Sequence, residues 1–361
     1  MSKSFGLLLV LFLAASCLIA VKPAFSSTNT ANAENTWVKK ASMPTSRSHL
    51  KAAAVNGRIY AIGGSGPIGA NEEYDPALDN WTEKTSMPSP KQSFAIATFN
   101  GKIYCIGGLG EVVSADNKVY DPANDSWENK ASMPTARYGL QANTIDGKIY
   151  CMGGVKLLGY NQGYQELNNN EVYDPSSDTW TTKAPMPNSA GYASAVVDNK
   201  IYVIGSGAIQ IYSPETNTWS TGASPLVNIT LGANGQSSSA VATTGFMAPK
   251  RIYVYDGSSL QIYNPQNDCW TFGAAPPTSR QYLGIANVND TLYFIGGLTD
   301  DPSDLPWYYT FLNTNEQYTP IGYGNLPEQE PFPTPLVVTA SIVSVTTISI
   351  GLLVYFKKRK R

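Results

Sequence analysis

One pair of aromatic residues recurs along this chain and constrains its fold more than any other feature. Five times a tyrosine is followed seven residues later by a tryptophan, and one further tryptophan precedes them all. The tyrosines are Tyr74, Tyr120, Tyr173, Tyr212 and Tyr263, and the tryptophans are Trp37, Trp81, Trp127, Trp180, Trp219 and Trp270. A proline two residues after each of these tyrosines predicts a turn between two strands. The chain is therefore expected to repeat one small β unit.

An apolar segment with terminal glycines lies upstream of each tyrosine, at residues 59–64, 103–108 and 149–154, with weaker copies at 201–206 and 252–257. A last copy occupies residues 292–297. A period of about 50 residues with four short strands is typical of a β-propeller. Paired glycines, then tyrosine, then tryptophan form the kelch pattern, and the chain resembles the kelch-repeat family over residues 35–325, including exported prokaryotic members.

The two ends of the repeat region predict how the ring closes. Tyr318 follows the sixth glycine pair, but Asn325 stands where a tryptophan is expected, whereas Trp37 lies upstream of the first complete repeat. Pairing of the Trp37 segment with the Tyr318 segment would leave no open sheet edge. We predict an all-β fold: a six-bladed kelch-type propeller within residues 28–325, closed by an N-terminal strand.

Both termini carry the features of export and membrane anchoring. A basic start, an apolar stretch and small residues predict a signal peptide at residues 1–27, with a lipoprotein site at Cys17 as the alternative. Residues 336–356 are uncharged and long enough for a single transmembrane helix, and the basic residues 357–361 predict a cytoplasmic tail. Residues 326–335 read as a proline-rich stalk. These features predict a single-pass membrane protein with an extracellular propeller.

The charge distribution argues against nucleic acid as a partner. Seven of the 25 lysines and arginines lie outside residues 28–335, which leaves 18 bases against 27 acids in the body of the chain. An acidic body has no electrostatic footprint for a phosphate backbone. The expected partners are an extracellular protein or glycan, together with the membrane through the C-terminal helix.

Candidate ligand-binding residues fall on the connections of one propeller face. Bases stand three residues after the repeat proline in four blades, and they either pair within the blade or form a ring for an acidic ligand. Two long connections, at residues 155–170 and 298–313, add aromatic side chains that form a contact surface or pack as a lid. The candidates are Arg47, His49, Lys91, Arg137, Arg280, Tyr160, Tyr164, Trp307, Tyr308 and Tyr309.

Four N-x-Ser/Thr sequons are glycosylation candidates: Asn80, Asn124, Asn228 and Asn289. In the expected topology three of them, all but Asn228, avoid the face of the long connections. If they are glycosylated, that face stays free for a partner.

The sequence predicts no catalytic, metal or cofactor site. His49 is the only histidine, so a histidine triad or a histidine-based metal centre has too few ligands, as does a copper site of the galactose-oxidase-like kelch enzymes. Asp300, Asp301 and Asp304 lack the spacing of a calcium loop. Cys105 and Cys151 occupy equivalent strands of adjacent blades, too far apart for a disulfide, and are expected to be free thiols, while Cys269 has no evident partner.

Three functions fit these features. The first is a cell-surface module that presents a propeller face to a protein or glycan. The second, suggested by resemblance to kelch-type sialic-acid epimerases, is a carbohydrate-active enzyme that uses arginines and a carboxylate in the central funnel. The third is a structural envelope protein.

Overall fold

The computed structural model describes residues 33–65, 69–159, 163–189, 192–205, 207–227, 229, 239–300 and 309–325. Within these ranges every regular element is a strand, and six four-stranded antiparallel sheets account for most of them. The expected signal peptide, stalk, transmembrane helix and tail lie outside the described residues. None of the described residues belongs to a helix that is long and apolar enough to cross a membrane.

Each sheet is one blade, and its strands are called a to d from the central axis outward. Blade one comprises β2 (Lys51–Val55), β3 (Arg58–Ile62), β4 (Asn71–Asp75) and β5 (Asn80–Lys84). Blade two comprises β6 (Ala95–Phe99), β7 (Lys102–Ile106), β8 (Asn117–Asp121) and β9 (Ser126–Lys130). Blade three comprises β10 (Gln141–Ile145), β11 (Lys148–Met152), β14 (Asn170–Asp174) and β15 (Thr179–Thr182).

The second half of the chain repeats this arrangement. Blade four comprises β16 (Ala193–Val197), β17 (Lys200–Ile204), β18 (Gln210–Ser213) and β19 (Thr218–Thr221). Blade five comprises β20 (Ser239–Ala242), β21 (Ile252–Tyr255), β22 (Leu260–Asn264) and β23 (Cys269–Phe272). Blade six comprises β24 (Gly284–Val288), β25 (Thr291–Ile295), β28 (Asn315–Thr319) and, from the other end of the chain, β1 (Thr36–Lys40).

The first strand closes the ring as predicted. β1 pairs antiparallel with β28, and Trp37 stands opposite Tyr318. The same tyrosine–tryptophan pairing recurs within every other blade, for example between Tyr74 and Trp81. The predicted six-bladed kelch-type propeller is therefore confirmed.

Each blade is fastened to the preceding one by a hydrogen-bonded clamp. The tryptophan of strand d donates its indole N–H to a carbonyl of the preceding blade, and an Asp or Asn two residues earlier accepts the N–H of that same residue. In blade one, Trp81 donates to Ala41 over 2.8 Å and Asp79 accepts from Ala41 over 2.9 Å. The clamp residues are Trp81/Asp79, Trp127/Asp125, Trp180/Asp178, Trp219/Asn217, Trp270/Asp268 and Trp37/Asn35.

The hydrophobic core lies between neighbouring blades. One cluster joins Ala286 and Ile295 of blade six to Ile59 and Tyr74 of blade one, and similar clusters fill the other junctions. The glycine pairs are required because the chain turns sharply beneath the next blade. Gly63 has a φ of 64°, and a Cβ there would lie 2.6 Å from the Lys91 carbonyl oxygen. A larger residue would force the blades apart.

The antiparallel strands divide the connections between two faces of the disc. The b-to-c and d-to-a connections form one face, which we call the ribbon face because it carries two additional hairpins. These hairpins are β12 (Val155–Leu157) with β13 (Tyr164–Glu166), and β26 (Leu298–Asp300) with β27 (Tyr309–Phe311). The a-to-b and c-to-d turns form the opposite side, which we call the turn face. The described chain ends on the turn face, just after β28.

Candidate functional site

The two hairpins are the most distinctive feature of the ribbon face. They arise from blades three and six, which are three places apart in a ring of six and therefore lie on opposite sides of the central channel. The hairpin bases are fixed: Val155 and Tyr138 exchange two backbone hydrogen bonds of 2.8 and 3.1 Å, and Leu298 and Gln281 form an equivalent pair. The face thus carries two anchored projections.

The hairpins expose aromatic side chains. Tyr164, Tyr309 and Phe311 are 52%, 50% and 41% exposed. Tyr309 and Phe311 are two residues apart on one strand and share a face of it, while Tyr164 stands opposite the exposed Leu157. Single exposed apolar residues are common on soluble proteins. Concentration of several on two projections of one face is typical of a contact surface, which is the first of the two interpretations left open by the sequence.

A groove of about 570 Å³ lies on the same face at blade two. It is bounded by Pro90 of the d-to-a connection and by residues 110–116 of the b-to-c connection. Val112 at its edge is 73% exposed. Since blade two adjoins blade three, the groove lies beside the first hairpin.

The four predicted bases do not form an exposed ring; the structure places them inside the blades. Arg47, Lys91, Arg137 and Arg280 are each no more than 2% exposed. Arg137 contacts Glu171 of strand c over 2.5 Å and donates to the Cys151 carbonyl of strand b over 3.1 Å. The corresponding pairs are Arg47–Glu72 and Arg280–Glu316, whereas Lys91 donates to the Cys105 carbonyl.

This arrangement is the within-blade pairing that the sequence kept open as an alternative. The buried base ties a d-to-a connection to the end of strand b, and a neighbouring threonine adds a hydrogen bond to the same glutamate, as Thr135 does to Glu171 over 2.6 Å. Burial lowers the pKa of Arg47 and raises that of Glu72, with their mutual attraction opposing both shifts. Ligand binding by these four bases stays an untested prediction.

A signal for this pairing was present in the sequence and was missed. The position two residues before the repeat tyrosine is Glu in the three arginine blades, Lys in the lysine blade and Gln in the two blades without a base. These residues are Glu72, Lys118, Glu171, Gln210, Gln261 and Glu316. In blade four the Gln210 amide takes over by accepting from Asn188 N–H and donating to Asn188 C=O. In the three arginine blades the two positions are partners in space, whereas in the lysine blade Lys118 contacts Asp116 and Asn129.

A central channel of about 300 Å³ passes along the inner strands. Most of its lining is alanine, isoleucine or valine, with hydroxyls at Thr98, Ser194 and Ser239 and side-chain amides at Gln141 and Asn287. Lys51 is the one charged residue among the described residues that line it. Burial lowers the pKa of Lys51 to about 8. Sequence reasoning missed this lysine because nothing in the repeat pattern marks the first residue of β2.

His49 lies at the ribbon-face mouth of this channel and is 8% exposed. Its ring stacks on Tyr282 at a centroid distance of 3.9 Å, and its Nδ1 is 2.8 Å from Ser48 Oγ. Desolvation, followed by repulsion from Lys51, lowers the His49 pKa to about 4. The histidine is therefore neutral at pH 7, and ligand binding by His49 stays an untested prediction.

The backbone at this mouth is unusual. His49, Ser93 and Tyr282 all have positive φ values, between 51° and 56°, which non-glycine residues rarely adopt. The His49 N–H donates to the Tyr282 carbonyl over 2.7 Å, and the Ser93 N–H donates to the His49 carbonyl over 3.2 Å. This chain of hydrogen bonds links successive blades around the channel.

The remaining candidates divide between exposed positions and residues outside the described ranges. Asn80, Asn124 and Asn289 are exposed on the turn face, Asn80 at the start of β5 and the other two on turns. Cys105 and Cys151 are buried free thiols as predicted, and Cys269 is an exposed one. Tyr160, Asn228, Trp307 and Tyr308 lie outside the described residues, as do Asp301 and Asp304. Among the described residues no group of three or more His, Cys, Asp or Glu side chains is placed to hold a metal ion.

Comparison with known proteins agrees with this architecture. A family model described as "FKB95, Kelch-repeats domain" matches residues 84–273, and one described as "Kelch motif" matches residues 46–88. A solved structure titled "Structure of YjhT" superposes with a TM-score of 0.57 at 19% identity, covering 72% of this chain and 92% of that one. At this identity the likeness shows the fold alone.

Curated relatives show the same repeats in larger proteins. Kelch-like protein 35 of Mus musculus is 30% identical over 164 residues, which cover 43% of this chain and 27% of the mouse protein. Kelch-like protein 25 of Xenopus tropicalis is 31% identical over 176 residues, covering 42% and 28%. Kelch-like protein terF of Aspergillus terreus is 30% identical over 156 residues, covering 37% and 33%. The chain thus spans about a third or less of the length of these relatives.

Six blades closed by a borrowed strand, with an elaborated loop face and a narrow channel, define a β-propeller of the class that typically serves as a protein-interaction scaffold. The kelch-repeats family model, which matches residues 84–273, covers more than half of the chain. The chain belongs to the kelch-repeat family.

Proposed function

We propose that this protein is a membrane-anchored cell-surface module that binds a protein partner through its ribbon face. The observation that carries the proposal is the exposure of Tyr164, Tyr309 and Phe311 on two fixed hairpins. Aromatic residues are enriched at protein interfaces because they bury much apolar area and lose little conformational entropy.

The form of the face favours a protein over a glycan. The hairpins flank the channel mouth, and the groove beside Pro90 is large enough to receive several side chains of a partner. The exposed apolar residues Leu157, Leu158 and Val112 widen the same surface. A glycan would need a denser set of hydrogen-bonding groups around a stacking ring, so glycan binding is the alternative outcome of the test.

The anchoring part of the proposal is supported by the sequence at both ends and by topology. The leader at 1–27, the apolar segment at 336–356 and the basic tail favour an extracellular propeller. The described chain ends on the turn face, opposite the hairpins, so an anchor attached there leaves the ribbon face directed outward. Exposed sequons at Asn80, Asn124 and Asn289 also avoid the ribbon face.

The enzyme alternative required a carboxylate beside an arginine in an open funnel. Such pairs exist, as in Arg137 with Glu171, but both side chains are at most 3% exposed. No carboxylate is among the described residues that line the channel. The pairs therefore favour a structural role, and the aromatic ribbon face favours binding.

Photo-crosslinking of the full chain tests the proposal. A benzophenone amino acid replaces Tyr164 or Tyr309 in cells that express the protein, and a matched control replaces Leu78, which is 70% exposed on the turn face. We expect one defined protein adduct from the hairpin positions, absent from the Leu78 position and suppressed by excess unlabelled chain.

Two results would overturn parts of the proposal separately. Glycan-only adducts, or identical adducts from both faces, would exclude the ribbon face as a protein site. Resistance of the propeller to protease added to intact cells would exclude its extracellular location.

A further inference from the structure

The a-to-b connection of blade five differs from the other described connections of its kind. In the other blades strands a and b are joined by a two-residue turn, such as Asn56 and Gly57 in blade one. In blade five the connection runs over nine residues, 243–251, between β20 and β21. An insertion on the turn face at this single blade calls for a function, since a short turn suffices elsewhere.

This connection is held rigidly by one buried carboxylate. Asp290, on the adjacent turn of blade six, is fully buried. Its two oxygens accept from the backbone N–H groups of Thr244, Phe246, Met247 and Ala248 over 2.6 to 3.1 Å, and from the Thr244 hydroxyl over 3.0 Å. Hydrogen bonds to the ionised form outweigh burial and lower the Asp290 pKa, so the clamp is present at neutral pH.

The rigid connection presents an aromatic side chain to solvent. Phe246 at its tip is 73% exposed, the joint highest exposure of any large apolar residue that the structure describes. A mobile loop could bury such a ring against the disc, but the Asp290 clamp fixes the backbone on both sides of it. The protein thus maintains an apolar projection on the turn face.

The projection stands where the chain leaves the propeller. The Gly324 N–H donates to the Met247 carbonyl over 2.7 Å, and Gly322 packs against the Pro249 ring. Ile321, 41% exposed, belongs to the same departing segment. Only the ten residues of the stalk, 326–335, separate this point from the uncharged segment 336–356. At about 3.1 Å per residue, an extended stalk of this length reaches roughly 31 Å.

We propose that Phe246 inserts into the lipid headgroup region beside the membrane anchor and sets the orientation of the propeller on the bilayer. The inference rests on the anchoring proposed above. Phenylalanine is one of the apolar residues that interfacial segments bury at the boundary between headgroups and acyl chains, and the stalk keeps the ring within roughly 31 Å of the anchor. Because the contact is intramolecular in effect, a weak affinity for lipid is enough to populate it. The ribbon face is then held away from the membrane.

Site-specific fluorescence on the full chain in lipid vesicles tests this contact. Cys17 and Cys269 are replaced by serine, and an environment-sensitive NBD label is attached at Phe246→Cys. The matched control is Val112→Cys, an equally exposed apolar position on the ribbon face. We expect the label at position 246 to show a blue-shifted emission. A quencher in the lipid phase should quench it at least threefold more than a quencher in the aqueous phase does. The label at position 112 should show no shift.

A second measurement places the fluorescent label on the ribbon face, away from the proposed lipid contact. Energy transfer from a dye at Tyr309→Cys to acceptor lipids reports the height of the ribbon face above the bilayer. We expect Phe246→Ser to broaden the height distribution and increase transfer, with Leu78→Ser unchanged. Equal behaviour of positions 246 and 112 in chains that have entered vesicles would overturn this inference alone. Chains that fail to enter vesicles would overturn the anchor and with it this inference, while leaving the binding test on the ribbon face unaffected.

Discussion

The buried pair of Arg137 and Glu171 allows a quantitative test of why four blades carry an internal base. Both side chains are at most 3% exposed, and they contact each other over 2.5 Å. Arg137→Met keeps an apolar side chain of similar length but leaves Glu171 without its cation. Thr135 and Asn169 still donate to the carboxylate over 2.6 and 3.2 Å, which offsets only part of the loss.

The expected cost follows from general measurements on buried ion pairs. Removal of one partner costs about 3–5 kcal/mol, because the other charge stays buried and uncompensated. Blades four and five show that the fold also works without the charges, since they carry Gln at the glutamate position and Ala190 or Asn228 in place of the base. The double variant Arg137→Met/Glu171→Gln should therefore lie within about 1.5 kcal/mol of wild type, which implies a coupling energy of at least about 4.5 kcal/mol when each single variant costs about 3 kcal/mol or more.

Guanidinium unfolding of the purified full chain, followed by tryptophan fluorescence, measures each corner of this cycle. A partly exposed pair, Lys130 with Glu128, serves as the control, and removal of Lys130 should cost less than about 1 kcal/mol. Additive losses in the double variant would refute the reasoning. They would show that the two side chains stabilise the blade independently and not as a charge pair.

Three further outcomes follow from other parts of the fold. Trp37→Phe should lower the unfolding free energy by about 1–3 kcal/mol, because it leaves a carbonyl of blade five without its donor at ring closure; an unchanged denaturant midpoint would contradict this. The depressed pKa of His49 means that the unfolded chain binds its proton first, so stability present above pH 6.5 should fall by about 3 kcal/mol towards pH 4 relative to His49→Gln; parallel pH profiles of the two proteins would count against it. Cys269 should react with a thiol reagent in the native protein, whereas Cys105 and Cys151, whose pKa values burial raises to about 12, should react only after unfolding; three fast thiols would disprove the assignment.

Much of the ring was predictable because its determinants are local and repeat. The tyrosine, its following proline and the tryptophan fix two strands and a turn within one unit, and repetition fixes the number of units. Closure followed from a count: one unit lacked its tryptophan strand, and Trp37 supplied it. The free thiols followed similarly, from the equivalent strand positions of Cys105 and Cys151.

The clamp between blades shows where the pattern was visible but its meaning was not. An Asp or Asn stands two residues before every tryptophan of the ring, as Asp79 does before Trp81. Its partner is the backbone of another blade, about 40 residues away, as with Ala41. Because almost any residue type can supply a backbone N–H, the identity of the partner residue does not reveal the contact. The sequence therefore shows the Asp or Asn acceptor but not the group that donates to it.

The sequence by itself determined the six repeated sheets, because each repeat contains its own strand and turn residues. It also determined their closure, because the last sheet lacks its outer strand and only the N-terminal strand can supply it. The tertiary structure alone decided which side chains meet solvent. Arg137 is polar and lies in a connection, yet it points inward because it contacts Glu171 and the Cys151 carbonyl on strands c and b of its blade. Phe246 is apolar, yet it points outward because Asp290 from another blade fixes its backbone. Such directions depend on partners distant in the chain, which the spacing of one repeat does not specify.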